Sequence, residues 1–223
     1  MTQLLMITKA PVPGRSKTRL SPPCTAEQAA AIAGASVGDS LDVLRATPVR
    51  RRVVALDGDP GGLDLSGCVV VPQVEGGLGT RLARAFADAM EAPGGDLPTL
   101  LIGMDTPQVT SALLTACLDR LVAAGPGTAV LGTAPDGGWW ALGVHSSHAA
   151  QVLPRVPMSR EDTAVLTRAA LEEAGLTVLD LPSLTDIDHF PDALSVAAEC
   201  PAGSRTRRVV GAVAASLHLT PAR

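Results

Sequence analysis

Aromatic residues are nearly missing from this 223-residue sequence: tyrosine is absent, and Phe86, Phe190, Trp139 and Trp140 are the whole class. A core must therefore be built from Ala, Val and Leu. Cysteine is scarce too. Cys24, Cys68, Cys117 and Cys200 stand alone with no C-x-x-C pair, so neither a zinc site nor a disulfide framework is indicated, and free thiols suit a reducing compartment. There is no excess of positive charge: the net charge is −4 with a pI near 5.5, so a nucleic-acid partner is not expected. Arg50–Arg52 and the trio Arg205, Arg207 and Arg208 read as solvated faces. No apolar run is long enough to span a membrane, and the N-terminal one is cut by Lys9 and Pro11 without a charged leader. The expectation is a cytoplasmic protein with no membrane or nucleic-acid partner, a monomer or homodimer.

What is present is a chain 46% apolar and only 18% charged, enough for a substantial core. Strand-like and helix-like patterns alternate. Leu4–Ile7 reads as a buried strand, and Thr25 with Gln28 as a capping box opening an Ala-rich helix to about Arg45. Strands follow at Arg52–Leu56, Cys68–Pro72 and Thr99–Gly103, with helices at about Thr80–Met90 and Ser111–Ala124. The pattern then changes: Thr128–Leu131 and Trp139–Val144 flank A-P-D-G-G as an antiparallel pair. Ser159 is expected to cap a helix reaching about Ala174, Leu176–Leu181 is a late strand, and two helices finish the chain. This predicts an α/β fold with a mostly parallel, mixed sheet and helices on both faces. No repeat or linker divides 1–223.

The segment between Lys9 and Leu20, K-A-P-V-P-G-R-S-K-T-R-L, carries Lys9, Arg15, Lys17 and Arg19 and no acid. Pro11, Pro13 and Gly14 forbid helix there, so the cations sit on a tight loop after the first strand, where α/β sheets bind ligands. Its natural partner is a polyanion of diphosphate or triphosphate size. Asp105, in G-M-D-T-P, follows the fourth strand, and a carboxylate there can hold Mg²⁺ beside a phosphate or simply form a turn. Asp186 and Asp188, beside His189, form a D-x-D that can place one or both acids on a metal, although a solvated loop is the commoner outcome for such a pair alone. Q-V-E-G-G-L-G-T-R, Gln73 to Arg81, offers an amide for a base edge and glycines for close approach, or is an ordinary strand-to-helix turn. Asp136-Gly137-Gly138 precedes the two tryptophans, of which alternation along a strand turns one toward a pocket.

In this order the segments resemble the DUF2064 family, also called selenodomain-associated transferase type one, of the GT-A superfamily of nucleotide-diphospho-sugar transferases. The matching stretches are the basic loop, Q-V-E-G-G-L-G-T-R, I-G-M-D-T-P, L-G-T-A-P-D-G-G-W-W-A-L-G, V-P-M-S ending at Ser159, and L-P-S-L-T-D-I-D. K-T-R-L is more distantly similar to phospholactate guanylyltransferases and molybdenum-cofactor nucleotidyltransferases. Family members often carry tyrosine at Trp139 and tryptophan at Met158. The resemblance implies one GT-A domain with a nucleotide half at about 1–108, an acceptor half at about 109–200 and a C-terminal helix over 201–223.

It also implies Mg²⁺ (or Mn²⁺) held by Asp105 and Asp188. The nucleotide set is Lys9, Gly14, Arg15, Lys17, Thr18, Arg19, Gln73, Gly76, Gly79 and Arg81. The acceptor set is Asp136, Gly137, Gly138, Trp139 and Ser159, and the catalytic set Lys17, Arg19, Asp105 and Asp136. The expected partners are a nucleotide, NTP or NDP-sugar, and a small-molecule acceptor. Nucleotidyl transfer from an NTP to a phosphorylated acceptor ranks first, because four cations suit a triphosphate. Glycosyl transfer ranks second, with Asp136 or His189 as base, and a non-catalytic nucleotide-binding module last.

Overall fold

The computed structural model describes residues 1–217. Seven strands form one sheet: β1 (Gln3–Lys9), β2 (Arg51–Asp57), β3 (Val69–Pro72), β4 (Thr99–Ile102), β5 (Thr128–Thr133), β6 (Trp139–Val144) and β7 (Thr177–Leu181). The order across the sheet is β3-β2-β1-β4-β6-β5-β7. β6 runs against both its neighbours, and every other pairing is parallel. The helices are α1 (Ala26–Ala46), α2 (Leu78–Met90), α3 (Ser111–Ala124), α4 (Thr163–Glu173), α5 (Phe190–Glu199) and α6 (Arg205–Ser216). Residues 218–223, the end of the C-terminal helix expected over 201–223, lie outside the described residues. No helix among the described residues is long and apolar enough to cross a membrane.

β1 shows why the sheet is covered on both faces. Leu5 packs with Phe86 of α2 and Leu171 of α4, while Leu4 and Met6 pack with Leu41 of α1 and Leu118 of α3. Successive side chains thus bury on opposite sides, so the strand reads as a continuous apolar run. A third cluster joins Leu20, Ile32, Ile187, Phe190 and Val210, and holds α5 and α6 against α1.

Two sequence expectations are corrected. Arg51, Arg52, Arg205 and Arg207 are not merely solvated. Arg52 donates to the carbonyls of Leu44 (2.6 Å), Arg45 (3.1 Å) and Thr47 (2.6 Å), and Arg51 to that of Ala89 (2.8 Å), satisfying the carbonyls that a helix end leaves unpaired. Arg205 pairs with Asp39 and Asp42, and Arg207 donates to the Cys200 carbonyl. Ser159 does not cap a helix. Its φ of 60° lies in the left-handed region, whereas a cap residue takes the β region, and α4 starts four residues on, at Thr163. The turn before it is closed instead by Thr163, whose hydroxyl accepts from the Arg160 amide (3.0 Å) and donates to the Pro157 carbonyl (3.1 Å).

One segment has no counterpart in the sequence reading. Ser147–Arg155 forms a 3₁₀ stretch containing Pro154, and it packs along α2. Gly79 permits that contact: a Cβ there would meet the Leu153 carbonyl oxygen at 2.2 Å.

Candidate functional site

β1, β2, β4, β5 and β7 point their carboxyl ends to one rim, and antiparallel β6 brings its amino end there. Parallel sheets bind ligands at such a rim, where successive loops diverge. A cavity of about 1110 Å³ opens along it.

The basic loop forms one wall. Ser16 shapes it, donating its hydroxyl to the Ala10 carbonyl (3.0 Å) and accepting from the Val12 amide (3.0 Å), while buried Leu20 anchors its end. Lys9, Arg15, Lys17, Thr18 and Arg19 all line the cavity. Among the described residues, Lys9 and Arg15 form no salt bridge, and both are exposed. Lys17 turns inward from a left-handed backbone (φ 50°), its side chain only 10% exposed. Its ammonium lies 2.9 Å from Asp105 Oδ1 and 3.7 Å from Asp188 Oδ1, and donates to the Ile187 carbonyl. Arg19 pairs with Asp188 at 2.7 Å.

Acidic side chains stand directly against this loop. Ile187 is fully buried, so Asp186 and Asp188 emerge on either side of an anchored residue. The loop is pinned further where the Ile187 amide donates to the Asp105 carbonyl (2.9 Å) and Gln108 to the Thr185 carbonyl (2.6 Å). Asp136 closes its own turn by accepting from the Gly138 amide (2.8 Å). Gly137, at φ +88°, is needed there, because a Cβ would meet the Glu161 carbonyl oxygen at 1.8 Å. Carboxylate oxygens of Asp136, Asp186 and Asp188 all lie within 4.8 Å of one another. Burial, then the charges of Asp136 and Asp188, push the Asp186 carboxyl up to about 6.

Three hard oxygen donors in mutual repulsion fit a divalent cation such as Mg²⁺ or Mn²⁺. Of the two acids expected as metal ligands, Asp188 belongs to this group and Asp105 stands beside it, tied to Lys17. The joining of Asp136 to Asp186 and Asp188 in one acidic group escaped the sequence reading. Their signal is topological: β5 and β7 are parallel neighbours in register, Gly132 opposite Leu181, so the loops that follow them meet.

The other candidates divide. Gln73 lines the cavity, but its amide donates to the backbone carbonyls of Thr8 (2.7 Å) and Ala55 (2.9 Å), and its oxygen accepts from Arg81 (3.3 Å). Its donors are thus spent on strand ends rather than offered to a base. Arg81 also lies 3.5 Å from Asp57, and its buried Nε has no partner among the described residues. Trp139, Gly137, Gly138 and Ser159 line the cavity. Trp140 turns to the other face, its indole donating to the Pro182 carbonyl (2.9 Å), as alternation requires. Gly14, Gly76 and Gly79 are not among the lining residues.

A model of the DUF2064 family, described as uncharacterized proteins conserved in bacteria, matches residues 40–160, just over half of the chain. No curated protein matches in sequence. Among solved structures, a candidate nucleotide-diphospho-sugar transferase of Desulfovibrio desulfuricans G20 superposes with a TM-score of 0.81 at 23% identity, over 98% of each chain. Rv0371C of Mycobacterium tuberculosis H37Rv, solved in complex with manganese, gives 0.50 at 24% identity over 87% of this chain and 97% of its own. A cytidylyltransferase of Leptospira borgpetersenii gives 0.55 at 12% identity over 100% and 97%. At these identities the likeness is one of fold alone.

Proposed function

The chain belongs to the DUF2064 family, and on that premise we propose that it is a metal-dependent transferase acting on a nucleotide, most simply a nucleotidyltransferase. The observation that carries this reading is one cavity lined both by a four-cation loop and by converging carboxylates. A nucleoside triphosphate needs both: cations for its β- and γ-phosphates and a metal near the α-phosphate. Arg15, Lys17 and Arg19 would hold the outer phosphates, with Lys9 and Arg81 at the nucleotide half, 1–108. Asp136, Asp186 and Asp188 would hold Mg²⁺ or Mn²⁺, with Asp105 adjoining. A divalent cation held there supplies neutralisation of charge on the phosphate oxygens.

The acceptor would lie against Trp139, Met158 and Ser159 in the half at 109–200. A phosphate oxygen of the acceptor attacks the α-phosphorus, the α–β phosphoanhydride bond breaks, and pyrophosphate leaves with the bonding electrons. No general base is needed for an anionic nucleophile. Orientation and fixed charge do the work.

The second reading is glycosyl transfer from an NDP-sugar. The full-length likeness to the Desulfovibrio protein favours it, as do Asp136 and His189 at the cavity, either of which could deprotonate an acceptor hydroxyl. Incubation with each NTP, Mg²⁺ and a pool of phosphorylated metabolites should release pyrophosphate, and Asp188→Asn should abolish it. Release of NDP from an NDP-sugar would select glycosyl transfer. If no nucleotide with Mg²⁺ raises the melting temperature, both readings fail, since a ligand of the native state must stabilise it.

A further inference from the structure

Lys17 sits where a cation would be expected. Its ammonium touches Asp105 at 2.9 Å and Asp188 at 3.7 Å, the two carboxylates that the family resemblance implies as metal ligands, and Asp188 belongs to the acidic group. Between the acids of the D-I-D loop it also donates to the Ile187 carbonyl. A lysine only 10% exposed is unusual for so strongly hydrated a group, and its left-handed backbone is uncommon outside glycine. Lys9 and Arg15, on the same loop, stay exposed. We propose that Lys17 is an internal counter-ion that competes with the divalent cation for Asp188, coupling metal binding to phosphate binding through one side chain. The inference rests on the metal–nucleotide reading above.

The coupling follows from charge and distance. Asp188 belongs both to the acidic group and to the Lys17 pair, and it is held as well by Arg19 at 2.7 Å. A divalent cation on Asp188 would stand within a few ångströms of the ammonium, and the two repel. The ammonium is released toward the cavity that both residues line, and the same holds for the more exposed Arg19. Freed, both present donors to a polyphosphate. In the other direction, a polyphosphate that draws Lys17 and Arg19 away uncovers Asp188 for the cation. Coupling of this kind is reciprocal, each ligand raising the affinity of the other by the same factor.

Mn²⁺ titration of the full chain without nucleotide, read by the electron paramagnetic resonance of free Mn²⁺, tests this directly. Lys17→Met removes the competing charge and should bind Mn²⁺ about tenfold more tightly than the unsubstituted protein, within the usual range of coupling factors. At saturating Mn²⁺ the same variant should bind NTP more weakly. These opposite signs distinguish a counter-ion from a merely structural lysine, whose loss would weaken both. Arg19→Gln, at an exposed residue, gives a second route if Lys17→Met does not fold, and should tighten Mn²⁺ binding about threefold.

Unchanged or weaker Mn²⁺ binding in the variants overturns the inference. If NTP with Mg²⁺ still stabilises the unsubstituted protein in that case, the transferase reading stands without it. If no protein of the series binds Mn²⁺, the inference and the metal assignment fall together.

Discussion

Replacing Gly79 by alanine sets two physical effects against each other. Alanine is the best helix former, and in a helix interior the exchange is worth about 1 kcal/mol in its favour. Gly79 is the second residue of α2, so the gain available is smaller. Against it stands the 3₁₀ segment. The new methyl carbon would meet the Leu153 carbonyl oxygen at 2.2 Å, its carbon at 2.9 Å and Pro154 Cα at 3.2 Å. All three are backbone atoms, so no side chain can swing aside. The first gap must widen to at least the 3.4 Å of ordinary contact, which moves α2 as a body away from Ser147–Arg155.

Overpacking of this kind costs about 1–3 kcal/mol, and the net effect is therefore destabilising. For a chain of this length each kcal/mol lowers the melting temperature by about 2–4 °C. Gly62→Ala, where nothing lies within 4 Å of the added atom, should stay within about 0.5 kcal/mol. Thermal or urea denaturation of the three proteins decides the matter. A Gly79→Ala protein as stable as its parent, or more so, would refute the packing account and return Gly79 to the role of a ligand-facing helix start.

Asp39 accepts from the Arg205 amide at 2.9 Å and the Thr206 amide at 2.7 Å, thereby capping α6 from α1. Asp39→Ala leaves those donors and the Arg205 guanidinium short of a partner and should cost about 1–3 kcal/mol by urea denaturation, with α6 the first element to gain hydrogen exchange. Gln73→Leu should lower stability by about 1–3 kcal/mol, since it strips donors from the Thr8 and Ala55 carbonyls. A loss of nucleotide affinity at unchanged stability would restore Gln73 as a base reader.

The elements that could be read from sequence are those whose signal is local. The buried run at β1, the capping box of Thr25 with Gln28 and the apolar face of α2 each declare themselves within a dozen residues. So does the turn at Asp136–Gly138 with one tryptophan facing each way. What stayed hidden depends on neighbours distant in sequence. Arg52 looks like any basic residue until α1 is seen to end beside it. Gln73 looks free until β1 and β2 bring the Thr8 and Ala55 carbonyls to its amide. Asp136 and Asp186 are fifty residues apart, and only the adjacency of β5 and β7 joins them. Ser159 misled because a serine before an apolar stretch resembles a cap whatever its φ.

The reversed strand has a consequence for how this rim can change. Trp139 enters β6 facing the cavity, and Trp140 follows it facing the other way, over Gly132, where any Cβ would meet its indole nitrogen at 2.5 Å. The pairing register already slips between Gly132 and Thr133. A one-residue slip of β6 would turn every side chain of this doubly paired, buried strand to the opposite face, and at Gly143 a Cβ would meet Val130 at 2.5 Å. A gain or loss of one residue at 134–138 is therefore taken up within the turn, and Trp139 keeps its place at the cavity. The twin tryptophans thus act as a lock: each indole is held to its own side, and the rim can be reshaped through the turn but not through the strand.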